Sequence, residues 1–325
     1  MTNSKAGKPR CSVVIRAFNE EEHLGRLLTG IMKQTIQDRE IILVDSGSTD
    51  ATPEIASKFP VKIVQINPAE FTFGRSLNKG VAAAAGEFVV IISAHCYPVY
   101  PDWLEQLLKP FEDSRVAVCY GKQRGGKTNH YSEHQFFHHY FPDGSQHNQG
   151  QPFTHNANAA IRKTLWEQQP YNEKLTGLED LAWSSWAVGQ GYRIAYVAEA
   201  EIIHIHRETF SQVHNRYRRE AIAMKQILPE SHFDIRNMLS LIVRKSVSDL
   251  LQAYRDRVVL KKALDILRFR IVQYFGTWRG YRYSGKIDLQ LHQQFYYPPQ
   301  LLSDKFPEER AVQPINYRIE VDKEH

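Results

Sequence analysis

Acidic and aromatic residues follow two short apolar runs near the start of the chain, and their types are suited to binding a nucleotide base. The first run, 12–17, is followed by Phe18 and Glu20. The second run, 41–44, is followed by Asp45. A carboxylate at Asp45 can accept the imide N–H of a uracil or thymine ring, and Phe18 can supply a flat apolar wall. The two runs therefore predict half of a nucleotide-binding domain, although a turn residue that caps the next helix is the alternative for Asp45.

A helix-like pattern separates the two runs, so this part of the chain predicts a β-α-β unit. Apolar residues between the runs recur at three- and four-residue steps, as one helix face requires: Leu24, Leu27, Leu28 and Ile31. Strands joined in this way are parallel, and the ligand crevice of such a sheet lies beyond their carboxyl ends. The pocket is expected to be lined by Ala17, Phe18, Asn19, Glu20 and Asp45. Neither a G-x-G-x-x-G nor a P-loop pattern occurs, which disfavours the usual dinucleotide and P-loop interpretations.

The remaining patterns predict an α/β fold: a Rossmann-type mixed, mostly parallel sheet with helices on both faces and a helical C-terminal extension. Strands are predicted at 61–66, 88–92, 116–120, 156–161, 192–197 and 202–206, and helices at 52–59, 77–85, 102–111 and 178–188. The polar, histidine-rich segment 121–153 has no clear period and is predicted to be loop-like. The strand at 88–92 delivers Ser93, Ala94 and His95 to the same sheet edge as Asp45.

The composition is that of a folded protein from a reducing compartment. At 325 residues and 42% hydrophobic content, the chain can form one large core or a core with an appendage. Its three cysteines are widely spaced and include no C-x-x-C pair, which argues against a disulfide framework and a cysteine zinc cluster. The N-terminus has no apolar h-region, and no stretch reaches the ~20 apolar residues that cross a bilayer. We expect a cytoplasmic protein that at most lies on a membrane.

Four stretches, in order along the chain, resemble the family-2 glycosyltransferases, which have the GT-A fold and use nucleotide-diphosphate sugars. They are SVVIRAFNEEEHL, EIILVDSGSTDAT, FTFGRSLNKGVAAAAGEFVVIISAHCYP and GLEDLAWSSWAVGQGYRIAYVAEAEIIHIH. The resemblance covers roughly residues 11–210 and fades beyond 215. It implies a GT-A-like catalytic domain at 11–215 and leaves 216–325 as a helical, basic C-terminal extension.

The resemblance implies a place for a divalent metal, but the residues there differ from those of the family. Family-2 enzymes carry an Asp-x-Asp at the end of the fourth strand, and this chain has Ser93-Ala94-His95 instead. Ser93 and Ala94 are predicted to contact the sugar donor, and His95 can be a metal ligand through an imidazole nitrogen. The loss of two carboxylates weakens a site for Mn or Mg, which prefer oxygen ligands. A capped strand end with a hydrogen-bonded histidine is the alternative.

A second predicted metal ligand comes from the segment 203–206. Strand alternation places His204 and His206 on the same face, and the resemblance implies that one of them lies near the diphosphate. His206, which ends the strand, is the preferred ligand. Alternatively, Arg207 or a basic side chain within 216–219 neutralises the phosphate charge without a metal.

Sugar transfer also needs a base that takes the proton of the acceptor hydroxyl. Glu179 and Asp180 begin an apolar helix, and the helix dipole favours carboxylates in a first turn, so simple capping is the alternative. The resemblance implies that Asp180 is the catalytic base and that Glu179 is its supporting acid or an acceptor contact. Trp183 and Trp186 follow on the same helix, either as a sugar-facing wall or as core residues.

Arg75 and Asn78 lie at the opening of the helix before the fourth strand and are predicted to contact the sugar donor. A helix N-terminus with a guanidinium beside it suits an anion. The resemblance implies that this segment lies near the nucleotide. The alternative for Arg75 is a surface pair with Glu70.

Two further groups of polar residues have weaker patterns. His130, His134 and His138 are spaced by four, as on one helix face, but their aromatic neighbours favour a polar acceptor loop over a dedicated zinc site. Asn156 and Asn158 are candidates for binding acceptor hydroxyls or for satisfying local backbone groups.

The net charge of +5 is concentrated in the C-terminal part of the chain. Between residues 236 and 286, twelve Lys or Arg stand against three Asp, which gives +9 there and leaves −4 for the rest of the chain. Apolar stripes run along the same segment, so we predict bundle packing with peripheral contact to an anionic membrane, on the inner face of the cell membrane. A solvated bundle face is the alternative, and no nucleic-acid-binding fold is recognisable.

Together, these residues predict an inverting glycosyltransferase that moves a sugar from a nucleotide-diphosphate donor to a hydroxyl of a glycan, lipid-linked or small-molecule acceptor. A sugar-phosphate nucleotidyltransferase has the same type of sheet, but it needs a glycine-rich, basic loop after the first strand, and residues 16–20 offer neither feature. A non-catalytic carbohydrate-binding or scaffold protein is the other alternative, because the carboxylates of the metal motif are lost.

Overall fold

Among the described residues, a nine-stranded mixed sheet forms the centre of the protein. The structure is a computed structural model, and it describes residues 8–287, 313 and 315–317. The strands are β1 Cys11–Ala17, β2 Arg39–Asp45, β3 Val61–Gln65, β4 Phe88–Ser93, β5 Cys96–Pro98, β6 Val116–Gly125, β7 Gln146–Gln149, β8 Asn158–Arg162 and β9 Arg193–His204. They lie in the order β3-β2-β1-β4-β8-β6-β9-β5, and β7 pairs with β9.

The first half of the sheet is parallel, as the sequence predicts. β1 lies between β2 and β4 and is parallel to both, so the carboxyl ends of these strands meet at one edge. Ala17 lies opposite Asp45 across one strand pair, and Arg16 lies opposite Ser93 across the other. Beyond β4, β8 is antiparallel to both of its neighbours, whereas β6 and β9 are parallel. Six of the nine strands point the same way, which confirms the mixed, mostly parallel sheet.

Helices cover both faces of the sheet and form the C-terminal part of the described chain. They are α1 Leu24–Met32, α2 Thr52–Ser57, α3 Phe73–Ala83, α4 Trp103–Leu108, α5 Tyr131–Tyr140, α6 Lys163–Gln168, α7 Glu179–Gly189, α8 Phe210–Ile227, α9 Ile235–Arg255 and α10 Val259–Tyr281. One core lies between the sheet and α1 and α4, and the other lies between the sheet and α3 and α7. Trp183 is buried in the second core and Trp186 packs against it, so these residues are core rather than a sugar-facing wall.

The histidine-rich segment 121–153 is not the loop that the sequence predicts. β6 continues to Gly125, α5 follows, and β7 pairs with β9. The helix was hard to recognise because α5 contacts β6 on one side and α9 and α10 on the other. Its buried residues, Tyr131, Ser132, Glu133 and Phe137, are therefore partly polar and do not form a single apolar stripe.

Two further boundaries differ from the prediction. The two strands expected within 192–206 are one continuous strand, β9. It pairs with β6, and the pairing register shifts between Gly121 and Gln123 of β6. Helix α3 begins at Phe73 rather than at residue 77, because the Thr72 side chain accepts a hydrogen bond from the Arg75 N–H at 3.0 Å and caps the helix.

A buried ion pair joins the helical extension to α5. Arg270 Nε is 2.7 Å from Asp249 Oδ2, and the Ser132 hydroxyl donates to the same carboxylate oxygen at 2.6 Å. The predicted domain boundary after residue 215 falls inside α8, and the division into two domains stays a prediction. In the described part of the chain, no helix combines the length and the apolar content needed to cross a membrane.

Candidate active site

The loops after β1 and β2 meet at the carboxyl edge of the sheet, where a ligand crevice is expected in a sheet of this type. Asp45 is 1% exposed, and its Oδ1 accepts a hydrogen bond from the Ser48 backbone N–H at 3.1 Å. Asn19 has a φ of 51°, and its Oδ1 accepts from the Thr49 N–H at 2.8 Å, so the two loops are bonded to each other. The structure thus brings Ala17 and Asp45 together, as the sequence predicts.

The loop after β1 is also bonded to the segment that follows β4. Glu20 Oε1 is 2.7 Å from His95 Nδ1. Burial lowers the pKa of His95, but the carboxylates of Glu20 and Glu208 raise it, and the net pKa lies above its ordinary value. Phe18 and Ser93 are half-buried at this edge. Ala94 has no exposed surface, which argues against its predicted contact with the sugar donor.

Three histidines converge beside this edge. His95, His204 and His206 each offer a ring nitrogen, and these atoms lie within 4.8 Å of one another. The Nε2 atoms of His204 and His206 are 3.0 Å apart. Gln123 Oε1 is 2.8 Å from His204 Nδ1, and Glu133 Oε1 is 2.9 Å from His206 Nδ1. Burial and the neighbouring His206 hold the pKa of His204 well below its ordinary value, so that imidazole is neutral. His206 is the metal ligand preferred from the sequence, but His204 also belongs to this group. His95, His204 and His206 are called the histidine cluster below.

A neighbouring acidic group is already paired with a guanidinium. Glu133 and Glu208 lie close enough to His206 to form a second group of candidate ligands. Arg216 Nη2 is 2.6 Å from Glu133 Oε1 and 2.5 Å from Glu208 Oε2, so the two acids share one guanidinium as their partner. The remaining donor set is three imidazoles. Mg²⁺ and Mn²⁺ prefer oxygen ligands, so the residues present do not fit the Mn or Mg that the sequence resemblance implies.

The acidic pair Glu179 and Asp180 begins α7. Leu178 has a left-handed φ of 56° and turns the chain into the helix. Asp180 Oδ2 accepts from the Asn156 backbone N–H at 3.0 Å, and its Oδ1 accepts from the Leu181 N–H at 2.8 Å. Burial raises the pKa of both Glu179 and Asp180 above the ordinary values. A carboxylate with a raised pKa is a stronger base, which suits proton abstraction.

Arg16 lies between the acidic pair and His95, and it is not among the site residues predicted from the sequence. Arg16 Nη1 is 3.4 Å from Glu179 Oε1. Its positive charge lowers the pKa of Glu179 and also that of His95, so its field reaches both groups. Two guanidinium groups lie over the Phe73 ring. The guanidinium of Arg16 is 5.4 Å from the ring centroid, and that of Arg219 is 4.3 Å from it. The sequence feature that could have indicated Arg16 is its charge near the end of an otherwise apolar strand.

Asn78 forms internal hydrogen bonds, which argue against its predicted contact with the sugar donor. Its Nδ2 donates to the Tyr171 carbonyl and to Glu173 Oε1, both at 2.9 Å. Its Oδ1 accepts from Trp166 Nε1 and from the Tyr171 N–H, again at 2.9 Å. Two donor and two acceptor positions are the full capacity of an amide side chain, so none remains for a ligand.

Arg75 is paired within the protein. Its Nε is 2.8 Å from Glu173 Oε2, and its Nη1 donates to the Glu70 carbonyl oxygen at 3.0 Å. The expected partner Glu70 is therefore present, but through its backbone. A contact between Arg75 and the sugar donor would have to share the guanidinium with Glu173, and it stays a prediction.

The other polar candidates also have internal partners. His130 caps α5, and its Nδ1 is 2.6 Å from Asp265 Oδ1. Asn158 accepts from Trp103 Nε1 at 2.9 Å and donates to backbone carbonyls on β6 and β9. These side chains support the elements around the site, which favours the structural alternative for Asn158.

Comparisons with known sequences agree over the first half of the chain. The sequence model described as Glycosyl transferase family 2 matches residues 12–168. The O-antigen chain rhamnosyltransferase WbaN of Salmonella anatum is 32% identical over 200 residues, which are 57% of this chain and 62% of that protein. The O-antigen chain rhamnosyltransferase RfbN of Salmonella typhimurium is 25% identical over 220 residues, which are 64% of this chain and 70% of that protein. The matched region thus spans less than two thirds of the length of WbaN.

Solved structures share the fold over most of the chain. The mannosyltransferase PcManGT from Pyrobaculum calidifontis, in complex with GDP-Man and Mn²⁺, has a TM-score of 0.59 and 17% identity, and the match covers 83% of this chain and 87% of that one. Residues 1–349 of S. aureus TarS, in complex with UDP, have a TM-score of 0.50 and 18% identity over 81% of this chain and 90% of that one. These likenesses confirm the GT-A fold.

Proposed function

Because residues 12–168 belong to glycosyl transferase family 2, we propose that this protein is an inverting glycosyltransferase that moves a sugar from a nucleotide-diphosphate donor to an acceptor hydroxyl. The proposal is supported by the position of Ala17 opposite Asp45 at the sheet edge and by the ion pair that joins the preceding residue, Arg16, to Glu179 beside Asp180. Glycosyl transfer needs charge stabilisation at the leaving diphosphate and a separate proton acceptor on the opposite side. The sheet edge and the acidic pair match these two requirements.

At the nucleotide end, Asp45 accepts the imide N–H of a uracil or thymine base, and Phe18 covers the ring. The Ser48 N–H holds the Asp45 carboxylate in a fixed orientation before the base arrives, so little ordering is needed on binding. Arg16 and Arg219, which flank the Phe73 ring, supply fixed positive charge near the departing diphosphate. Arg216 is less suited to this role because it already pairs with two carboxylates.

At the acceptor end, Asp180 takes the proton of the attacking hydroxyl. The Asn156 and Leu181 N–H groups fix its carboxylate, and burial makes it more basic than an exposed Asp. Glu179 forms an ion pair with Arg16. Glu179 and Asp180 are buried next to each other. We assign Asp180 as the base and Glu179 as its supporting acid.

The names of the relatives indicate which sugars to test first. WbaN and RfbN are rhamnosyltransferases of the O-antigen chain, and the structural neighbour PcManGT is a mannosyltransferase. We therefore propose a hexose or 6-deoxyhexose as the transferred sugar and a glycan or lipid-linked glycan as the acceptor.

The test is a panel of uridine, guanosine and thymidine diphosphate sugars, with release of nucleoside diphosphate measured with and without oligosaccharide acceptors. Release that increases when an acceptor is added supports the proposal. Tight sugar binding without release across the panel would instead indicate a non-catalytic carbohydrate-binding protein. Formation of a nucleotide-sugar from a sugar phosphate and a nucleoside triphosphate would indicate a nucleotidyltransferase.

Asp45→Asn is expected to weaken binding of the uridine or thymidine diphosphate donor by about 10–100-fold, because a hydrogen bond to a charged acceptor is worth about 1.5–3 kcal/mol. Calorimetric titration with the donor measures this loss. Asp38→Asn is the matched control, because Asp38 is an exposed acid at the opposite end of β2. Equal affinity in Asp45→Asn and Asp38→Asn would contradict the role of Asp45 in base recognition.

In the helical extension, acids bond to α5 or its cap whereas several cations are exposed, which supports contact with an anionic membrane. Between residues 236 and 286, each of the three acids is bonded to α5 or its cap, with Asp249 on Ser132, Asp256 on Tyr131 and Asp265 on His130. An apolar ridge is exposed on α9 and α10, formed by Ile235, Leu239, Val243, Val247, Leu251, Tyr254, Leu260, Leu264, Leu267, Ile271 and Phe275. The same helices and the turn between them expose the cations Arg236, Arg244, Arg255, Arg257, Lys261 and Arg268. Apolar side chains flanked by cations suit an anionic lipid surface, so a peripheral position on the inner face of the cell membrane is our proposal.

The double variant Leu260→Gln/Leu264→Gln is expected to reduce binding to phosphatidylglycerol-containing vesicles by at least about tenfold, because burying one Leu side chain contributes about 1.5–3 kcal/mol. Leu260 is 98% exposed, so its replacement leaves the fold intact. Vesicle sedimentation measures binding, which should also weaken as salt is raised.

Met32→Gln is the matched control for the vesicle experiment. Met32 is an exposed apolar residue on α1, outside the apolar ridge. Binding that is equally strong to neutral vesicles, or that survives the double variant, would contradict the membrane proposal.

A further inference from the structure

Hydrogen bonds fix the protonation of the rings in the histidine cluster. The three Nδ1 atoms each face a side-chain oxygen, with Glu20 at 2.7 Å from His95, Gln123 at 2.8 Å from His204 and Glu133 at 2.9 Å from His206. Carboxylate and amide oxygens only accept hydrogen bonds, so the ring hydrogen lies on Nδ1. In a neutral imidazole, the Nε2 atom then carries a lone pair.

The lone pairs of two of these rings point at each other. His204 Nε2 and His206 Nε2 are 3.0 Å apart, and two acceptor nitrogens at this distance repel unless a cation lies between them. Histidines that bind metals in proteins generally donate the other ring N–H to a carboxylate or carbonyl oxygen, as all three rings do here. Both features are those of ligands arranged around a metal ion.

We propose that His95, His204 and His206 form a three-imidazole metal centre that selects Zn²⁺ and Co²⁺ over Mg²⁺ and Mn²⁺. Nitrogen ligands favour the later divalent ions, and Mn²⁺ has the lowest affinity in the series from Mn²⁺ to Zn²⁺. Three protein ligands leave a coordination position open, as in catalytic zinc sites. The adjacent acids do not convert the centre into an oxygen-rich one, because Arg216 pairs with both Glu133 and Glu208.

This inference goes beyond the proposed transferase function, because metal binding to the cluster requires neither sugar donor nor acceptor. A chain that binds Zn²⁺ but transfers no sugar would refute only the proposed function. A chain that transfers sugar but shows no preference for Zn²⁺ would refute only the metal proposal.

The first test is a competition among metals on the full-length chain, with any affinity tag removed and bound metal stripped by a chelator. Calorimetric titration with Zn²⁺, Co²⁺, Mn²⁺ and Mg²⁺ is expected to give at least 100-fold tighter binding of Zn²⁺ than of Mg²⁺. X-ray absorption of the zinc-loaded chain should show nitrogen ligands at roughly 2.0–2.1 Å. Visible bands of bound Co²⁺ provide a further readout that does not depend on activity.

The second test uses substitutions within the cluster and one outside it. His95→Ala removes a partly exposed ligand and is expected to lower Zn²⁺ affinity by more than tenfold. Glu20→Gln keeps all three imidazoles but loses the charged partner of His95, and such changes typically cost 10–100-fold in metal affinity. His147→Ala on β7 is the matched control, because His147 is exposed and lies outside the cluster.

Thermal unfolding without metal establishes that each variant is folded before its affinity is interpreted. Zn²⁺ affinity that is unchanged in both His95→Ala and Glu20→Gln would overturn the proposal. So would Mg²⁺ binding as tight as that of Zn²⁺. Absence of binding by every metal would show that the two Nε2 atoms share a proton instead, which would also overturn the proposal.

Discussion

Asp180→Asn is expected to lower the rate of sugar transfer by about 10²–10⁴-fold while the sugar donor still binds. The amide cannot take a proton from the acceptor hydroxyl, whereas the nucleotide end of the crevice, formed by the loops that carry Asn19 and Asp45, is untouched. Product formation at saturating substrate measures the rate, and calorimetric titration measures binding of the donor.

Two controls separate loss of the base from a disturbed fold. Asp180 accepts two backbone N–H groups, and the Asn side chain has one acceptor oxygen, so some loss of stability is expected. Thermal unfolding measures that loss, and Glu167→Gln, on the exposed surface of α6, provides the matched background. An Asp180→Asn enzyme that retained more than a tenth of the activity would refute the assignment of the base.

The pH dependence of the same reaction follows from the burial of the acidic pair. Burial raises the pKa of Asp180, and the base must be deprotonated to act, so the transfer rate falls as pH falls through this raised pKa. The acid limb of the profile should therefore lie above the ordinary Asp value of about 3.9. Asp180→Asn should abolish this limb in the residual activity.

Asp249→Ala is expected to lower the free energy of unfolding by about 3–5 kcal/mol, which is the usual cost of leaving one member of a buried ion pair without its partner. Arg270 Nε and Nη2 both bond to this carboxylate, and the Ser132 hydroxyl donates to it as well. The loss should appear in urea-induced unfolding as a lower midpoint.

The double variant Asp249→Leu/Arg270→Met removes both buried charges and is expected to lose much less stability, because no uncompensated charge remains. Glu54→Ala provides a surface reference, because Glu54 pairs with Lys58 on the exposed side of α2 and such pairs contribute about 0–1 kcal/mol. A loss in Asp249→Ala no larger than that in Glu54→Ala would contradict the anchoring role of this ion pair.

Local patterns in the sequence were sufficient for the first half of the fold. The β-α-β unit follows from apolar spacing between Leu24 and Ile31, and parallel strands then bring Ala17 and Asp45 to one edge without further information. The pairing of Glu20 with His95 lies at the same edge but depends on side-chain conformations. The family resemblance, rather than periodicity, identified Asp180.

The parts that sequence patterns missed depend on contacts between distant residues. α5 packs between the sheet and the extension, so its buried surface includes Ser132 and Glu133, and no single apolar face can be recognised. The bonds of Asn78 to Tyr171 and Glu173 connect segments more than 90 residues apart, and no local pattern predicts them. Arg16 was missed because a charge in a strand gives no indication of its partner.

Neighbouring residues of α5 connect the extension to the histidine cluster. Ser132 bonds to Asp249 of α9, and the next residue, Glu133, bonds to His206. Movement of α9 relative to the sheet would therefore be transmitted to the His206 imidazole through the peptide unit that joins Ser132 and Glu133. If binding of the apolar ridge to a bilayer changes ligand affinity at the histidine cluster, the ligand must change the affinity of the ridge for the bilayer by the same factor.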